Sequence, residues 1–288
     1  MAFNKYRLSR EVYEREDEAA KIPPAKIIYL SVEGNVTEKE YFESLSRCRS
    51  KLGINSKITV EVLSRSDTNS APHSVIELLE EYVELRNTDE EIEVSDLPEE
   101  FRKNHSIDEV KMYLNDTMNA EQRDLFSNEL RKLGYDISYY KYLKTYESEY
   151  DEFGVVIDRD QYTHSEKNMM DCINHCRSKN YLCYISNPCF EFWLLLHLCD
   201  VKNELADSLE DIKANRKVSN KHTFVSSEVT RRANHGKGNL NFEINYMNNI
   251  DVAVQRAKGF ACTEEELVKN IGTNVWMLID KLKSFNEN

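Results

Sequence analysis

Three acidic residues directly follow segments whose composition is typical of buried strands. Glu33 follows the apolar residues 25–32, and Asp158 and Asp160 follow the apolar residues 153–157. Side chains at positions i and i+2 of an extended segment point the same way, so the two aspartates can share one cation. Carboxylate oxygens are ligands that Mg²⁺ prefers. The pattern therefore predicts a magnesium site that would polarise a phosphodiester and activate water for its hydrolysis, with one or two ions left open.

Each of these residues also has a simpler interpretation. Glu33 alone is typical of a turn, and an Asp-x-Asp sequence alone is typical of a loop. Arg159, between the two aspartates, would either contact phosphate or pair with a neighbouring carboxylate. The combination is more specific, because all three acids follow predicted strands in a chain that alternates strand and helix.

Two further candidates follow the next apolar segment, residues 181–185. Asn187 either belongs to the site or caps a helix that we predict to begin at Pro188, and Glu191 either belongs to the site or is an acid on the surface of that helix. Functional groups of an open parallel sheet gather beyond the carboxyl ends of its strands, which favours placing both near the three acids.

The elements that must position these residues alternate along the chain, which indicates an α/β fold with a parallel sheet. We predict an N-terminal arm at 1–24, an α/β domain at 25–200 and a mostly helical C-terminal region at 201–288. Within the domain, residues 88–134 are predicted to be a helical insertion. The individual expected elements are strands at 25–32, 57–63, 137–143, 153–157 and 181–185, and helices from about 37 to 51, from Pro72, at 165–179 and at 188–198.

The chain carries a formal net charge of −13, which is unusual for a protein that binds nucleic acid, because such binding depends on basic surface. Either basic residues cluster locally, or the chain uses the basic surface of a partner. The local candidates near His222 and His235 also fit an ordinary solvated charged face. The basic residues concerned are Arg216, Lys217, Lys221, Arg231, Arg232 and Lys237.

Composition excludes several classes of protein. The 288 residues are 40% hydrophobic, too apolar for a disordered chain. No apolar run approaches the roughly 20 residues of a membrane helix, and the charged N-terminus is not typical of a signal peptide. We therefore expect a cytoplasmic protein without membrane association. Its seven cysteines are expected to be reduced, and Cys172, His175 and Cys176 are expected to serve helix packing rather than zinc binding. The sequence has no P-loop motif, so ATP hydrolysis of that kind would require a partner.

Several ordered segments resemble known families. Residues 27–45 (IIYLSVEGNVTEKEYFESL) and 154–160 (GVVIDRD) resemble the first two motifs of the Toprim domain. Residues 37–42, 186–197 (SNPCFEFWLLLH) and 272–282 (GTNVWMLIDKL) more narrowly resemble the RloB-like family. The insertion at 88–134 lies outside the resemblance.

The resemblance implies a Toprim-like, Rossmannoid parallel sheet of about four strands with helices on both faces. It implies a divalent-metal site in which Asp158 and Asp160 bind Mg²⁺, for which Mn²⁺ can substitute. Glu33 would be a general acid or base or a ligand of a second metal, while Glu38, Asn187 and Glu191 would lie close by. RloB-like proteins are bacterial and are often encoded beside an AAA or ABC-type ATPase in defence loci.

Together these observations predict a Mg²⁺-dependent nuclease effector of an abortive-infection-like phage-defence system, controlled by a partner ATPase. The substrate would be DNA or RNA, including tRNA, and homo-oligomerisation is left open. The acidic insertion would be a partner-docking surface or an autoinhibitory cover. The alternatives are a non-catalytic sensor or regulatory subunit of a defence complex, or a phosphoryl-transfer enzyme acting on small substrates.

Overall fold

The computed structural model describes most of the chain after the N-terminal segment. The described residues are 25–34, 36–63, 71–87, 92–133, 135, 137, 141, 150–234 and 240–285. The expected arm at 1–24 lies outside them, as does most of the expected strand at 137–143.

The chain divides into two compact units. The helical unit contains residues 1–21, 63–68 and 80–147, and the sheet unit contains residues 22–62, 69–79 and 148–288. All the predicted site residues belong to the sheet unit.

The sheet unit is built on five strands in the order β2-β1-β3-β4-β5. Strand β1 pairs in parallel with β3, and β3 pairs in parallel with β4, while β5 is antiparallel to β4. The α/β prediction is thus confirmed, and the sheet has one strand more than the four or so that the family resemblance implied. The strands are β1 (Lys26–Val32), β2 (Ile58–Leu63), β3 (Glu152–Asp158), β4 (Leu182–Asn187) and β5 (Gly272–Thr273).

The helices of the sheet unit follow the strands and fill most of the C-terminal region. The first is α1 (Thr37–Arg47), and α2 (Pro72–Asn87) continues from this unit into the helical unit. The later helices are α6 (Glu166–Ser178), α7 (Phe190–Leu198), α8 (Val201–Glu204), α9 (Leu209–Ala214), α10 (Phe224–Arg232), α11 (Phe242–Asn245), α12 (Ile250–Ala257), α13 (Glu264–Leu267) and α14 (Val275–Ser284). Short 3₁₀ helices lie at Ala206–Ser208 and Met247–Asn249.

The described part of the helical unit contains α3 (Glu99–Asn104), α4 (Ile107–Leu114) and α5 (Ala120–Lys132), after a 3₁₀ turn at Val94–Asp96. Its core includes Phe101 and Phe126, whose rings meet edge to face at 5.3 Å. These three helices lie within the predicted helical insertion at 88–134.

Helix α7 is the central helix of the sheet unit's core. It is apolar on every side, and its residues Phe190, Phe192 and Trp193 are fully buried. The Tyr41 hydroxyl lies 3.2 Å from His197 Nε2, and His197 Nδ1 lies 2.9 Å from the Trp193 carbonyl. Because a carbonyl only accepts, His197 carries its proton on Nδ1 and accepts from Tyr41 at Nε2.

The helix that we predicted to begin at Pro188 instead begins at Phe190, with Cys189 as its N-cap residue. The Asn187–Pro188 peptide bond is cis. The prediction of Asn187 as the cap is therefore wrong, because its side chain binds elsewhere and the first helical amide is that of Phe190.

Strand β5 closes the sheet with two residues and one side chain. The Asn274 side chain accepts from the Ile185 amide at 2.6 Å and donates to the Cys183 carbonyl at 3.0 Å. A Cβ atom at Gly272 would lie 2.0 Å from the Ala261 carbonyl oxygen, so only glycine fits there. Through its two hydrogen bonds, the Asn274 side chain extends the pairing of β4 beyond the end of β5.

Within the described ranges, no helix has the length and apolar character needed to cross a membrane. The six buried cysteines of those ranges are free thiols, and Cys172 and Cys176 lie in the core on α6, in agreement with the packing interpretation.

Candidate functional site

Two carboxylates at the carboxyl edge of the sheet are positioned by backbone amides. The Glu33 amide donates to the Val156 carbonyl at 3.1 Å, which fixes the chain as it leaves β1. The Asp158 amide donates to Glu33 Oε2 at 2.9 Å, and the Phe190 amide donates to Asp158 Oδ1 at 2.8 Å. Three neighbouring elements, β1, β3 and α7, are thus joined through the carboxylates of Glu33 and Asp158.

Asp158 lies among like charges. Burial raises the pKa of its carboxyl well above the ordinary value, and the negative charges of Glu33, Glu38 and Glu191 raise it further. The hydrogen bond from the Phe190 amide acts in the opposite direction but is the weakest of these influences. We call these four residues, Glu33, Glu38, Asp158 and Glu191, the carboxylate cluster.

Glu38 reaches the cluster from the first turn of α1, where its side chain is buried. Its carboxylate lies against Gly34: a Cβ atom added at Gly34 would be 2.0 Å from Glu38 Oε2. A larger residue after Glu33 would therefore displace the Glu38 carboxylate from its position. The prediction of Glu38 as a supporting residue stays a prediction, and the structure places it beside the site.

Asp160 has a different environment from Asp158. Its Oδ1 accepts from the Tyr162 amide at 2.9 Å, and its carbonyl accepts from the amides of Thr163 and His164. These bonds form a tight turn after β3. The structure thus places Asp160 in that turn, whereas the charges that act on Asp158 come from Glu33, Glu38 and Glu191.

Arg159 and Asn187 hold the surrounding backbone. The buried Arg159 guanidinium donates to the Val268 carbonyl at 2.8 Å and to the His164 carbonyl at 2.7 Å. The Asn187 side-chain amide donates to the Leu267 carbonyl at 2.7 Å. Instead of pairing with a carboxylate, Arg159 braces the turn after Asp160 and the chain after α13, and it is only 5% exposed.

Cys189 is a neighbour of the site that sequence reasoning missed. Its Sγ accepts a hydrogen bond from the Asn215 side-chain amide at 3.4 Å. Burial raises the pKa of the Cys189 thiol well above its ordinary value, with contributions from the charges of Glu191 and Asp158 and from a hydrogen bond to Glu191. The only signal in the sequence was its position directly before Phe190.

The predicted nucleic-acid contacts divide into two groups. Arg231 pairs with Glu228 at 2.7 Å, and Arg232 pairs with Glu228 and lies 4.0 Å from Glu204, so both charges are offset locally. Lys221 is exposed, while Lys237 and His235 lie outside the described residues.

The chemistry of the cluster suits a hard cation. Its donors are all carboxylate oxygens, the ligand type of Mg²⁺, and a divalent ion would offset the repulsion around Asp158. Among the residues that the structure describes, no three acidic, cysteine or histidine side chains are placed close enough to form a ready ligand set. The donor types therefore fit a metal, and binding would require the carboxylates to move together.

The fold and the site define an α/β protein with an acidic cluster at the carboxyl edge of a mostly parallel sheet. Within that class the chain matches the model of the family described as RloB-like protein over residues 28–282, nearly its whole length, and it belongs to this family. No curated protein and no solved structure gave a match.

Proposed function

We propose that this RloB-like protein is a metal-dependent phosphodiesterase of the Toprim type that cleaves nucleic acid. The observation that carries the proposal is the carboxylate cluster, in which the half-buried Asp158 is fixed by the Phe190 amide and surrounded by three other carboxyl groups. Enclosing like charges in this way destabilises a protein, and such arrangements are concentrated at functional sites. Binding a divalent cation is the purpose that their oxygen chemistry supports.

Glu33 and Asp158 would hold the metal, and Glu38 and Glu191 would complete its surroundings after the carboxylates move together. The bound ion supplies Lewis-acid polarisation of the phosphoryl oxygen and a more acidic water. The protein fixes the direction of the two central carboxylates through the amides of Asp158 and Phe190. Its raised pKa lets Asp158 keep a proton more readily than an ordinary aspartate, so metal binding and proton release are coupled.

From the family membership we also propose a role in bacterial phage defence. An effector nuclease of a bacterial phage-defence system would have to be restrained until infection, and a partner ATPase would provide that control. DNA and RNA, including tRNA, share the phosphodiester on which the proposed chemistry acts. Mg²⁺ is the proposed cofactor, with Mn²⁺ as a substitute.

The test is cleavage of supercoiled plasmid, linear DNA and total tRNA by the purified full chain with Mg²⁺, Mn²⁺ or EDTA. Wild type is compared with Glu33→Gln and Asp158→Asn, which remove charge but keep shape. We expect metal-dependent cleavage that each substitution lowers at least about 100-fold, since the charges bind the ion directly.

Asp280→Asn is the matched control, because Asp280 lies on α14 and pairs with Lys258 at 2.9 Å. It should leave cleavage unchanged. Cleavage that survives in EDTA, or in both site variants, would refute the proposed metal chemistry. Calorimetric titration with Mg²⁺ gives a second measurement that does not depend on turnover.

A non-catalytic regulatory role is the second candidate. It is favoured by the lack of a ready ligand set among the described residues and by the net charge of −13. In that case the chain would show neither cleavage nor site-dependent Mg²⁺ binding, alone or with its partner ATPase.

A further inference from the structure

A short segment between α9 and α10 concentrates positive charge on an otherwise acidic protein. Residues 216–222, here called the basic hairpin, include the exposed side chains of Arg216, Lys217 and Lys221. Within the part of the chain that the structure describes, these three side chains have no carboxylate partner. Arg231 and Arg232, by contrast, are paired with Glu228.

The basic hairpin is an ordered turn. Lys217 forms an antiparallel bridge with Thr223, and the Val218 amide donates to the His222 carbonyl at 2.9 Å. At the tip, the His222 amide donates to Ser219 Oγ at 3.1 Å. Such cross-turn bonds hold the basic side chains on one fixed projection, which lowers the entropy lost when they bind a ligand.

Two contacts attach the base of the hairpin to the elements that carry the carboxylate cluster. Asn215, in the left-handed conformation with φ of 42°, donates to Cys189 Sγ at 3.4 Å and accepts from the Val225 amide at 3.0 Å. The Gln161 side chain, in the turn after Asp160, donates to the Lys213 carbonyl at 3.3 Å.

Both attachments are to residues next to the site in the chain. Cys189 directly precedes α7 and is influenced by the charges of Glu191 and Asp158, and the turn that contains Gln161 directly follows β3. The base of the basic hairpin is therefore fixed beside the carboxylate cluster.

We propose that the basic hairpin binds the phosphate backbone of a nucleic acid and holds it beside the carboxylate cluster. This inference rests on the proposed function and assigns the substrate contact that the nuclease would need. A cluster of carboxylates repels phosphate, so a substrate needs cations close to it, and three exposed basic side chains on a rigid turn provide them. The hairpin would contact the backbone rather than the bases, so binding would be largely independent of sequence.

The test measures binding without cleavage. Fluorescence anisotropy with labelled single-stranded DNA, single-stranded RNA and duplex DNA is followed in EDTA over a series of salt concentrations. The variant is the triple substitution Arg216→Gln, Lys217→Gln and Lys221→Gln in the full chain. Its control is Lys51→Gln, Lys179→Gln and Lys202→Gln, which removes the same charge from exposed lysines on other elements.

We expect the hairpin variant to bind at least about tenfold more weakly than wild type. The slope of the logarithm of the binding constant against the logarithm of salt concentration should become less steep by about 2–3, since each of the three lost phosphate contacts contributes about 0.7–0.9. The control should change little, and circular dichroism should show both variants folded. Equal weakening by the two triple variants, or no binding by wild type at low salt, would overturn the proposal. Hairpin-dependent binding by a wild type that cleaves neither alone nor with its partner ATPase would refute the nuclease function and leave the binding role intact.

Discussion

Asp158→Asn should make the protein more stable while removing its metal chemistry. Asparagine keeps the shape of the side chain and an Oδ1 acceptor for the Phe190 amide. It removes the charge that burial and three neighbouring carboxyl groups disfavour. Because the pKa of Asp158 is raised in the folded state, its carboxyl favours folding at low pH, and that contribution is lost as pH rises through the folded pKa.

The size of the gain has an upper limit. At pH 7 Asp158 can lower the free energy of unfolding by at most about 4 kcal/mol. This limit is the free energy needed to keep a carboxyl of ordinary pKa 3.8 protonated at pH 7. The neutral amide weakens the bond from Phe190 by about 1 kcal/mol. We therefore expect a net gain of about 1–3 kcal/mol, or a Tm increase of roughly 2–10 °C for a chain of this size.

Urea and thermal unfolding in EDTA at several pH values measure this gain. The gain should be smaller at pH 5 than at pH 7, because pH 5 lies closer to the ordinary pKa of 3.8. Asp160→Asn is the matched control, since Asp160 lies in its own turn, and it should change stability by less than about 0.5 kcal/mol. A loss of stability in Asp158→Asn at pH 7, or an equal gain in Asp160→Asn, would refute the electrostatic reasoning.

Two other substitutions test the surroundings of the site. Gly34→Ala places a Cβ atom 2.0 Å from Glu38 Oε2, so the carboxylate must move. We expect cleavage or Mg²⁺ affinity to fall about 100-fold while the circular dichroism spectrum stays unchanged. Full activity would contradict the steric argument. Burial lowers the pKa of His197 from its ordinary value of 6.5 to about 3. The neutral imidazole therefore stabilises the fold above pH 6.5, and this contribution to the free energy of unfolding is lost as pH falls, by about 2 kcal/mol at pH 5. His197→Gln should remove that part of the pH dependence in urea unfolding, and an unchanged difference between pH 7 and pH 5 would show that His197 is not the group responsible.

Residue pattern predicted the parallel strands and the acids at their ends, because buried parallel strands are continuous apolar runs and their carboxyl ends meet at one edge. Glu33, Asp158 and Asp160 were placed at strand ends in this way, and the structure has β1 end at Val32 and β3 end at Asp158. The two-residue strand β5 was missed because a pair of residues has no periodicity to detect. Its pairing depends on Asn274, a contact between distant parts of the chain.

The start of α7 and the role of Arg159 were not predictable for a related reason. The helix begins where the Phe190 amide meets Asp158, 32 residues away in sequence. Arg159 was expected to contact phosphate or to pair with a neighbouring carboxylate, but its guanidinium is buried against the carbonyls of Val268 and His164. Local spacing carries no information about such partners, since they are brought together only by the complete sheet.

The way in which Asn274 completes β4 limits how far this protein can be shortened. Its side chain occupies the edge next to Ile185 and Cys183, and the neighbouring Thr273 hydroxyl lies 2.9 Å from Ser186 Oγ, two residues before the cis proline. A fragment that ends before Gly272 would expose the edge of β4 and leave unsatisfied the backbone groups that lead into α7. The residues that carry the acids therefore cannot be cut out as a minimal module, and a useful expression fragment must retain the chain through α14.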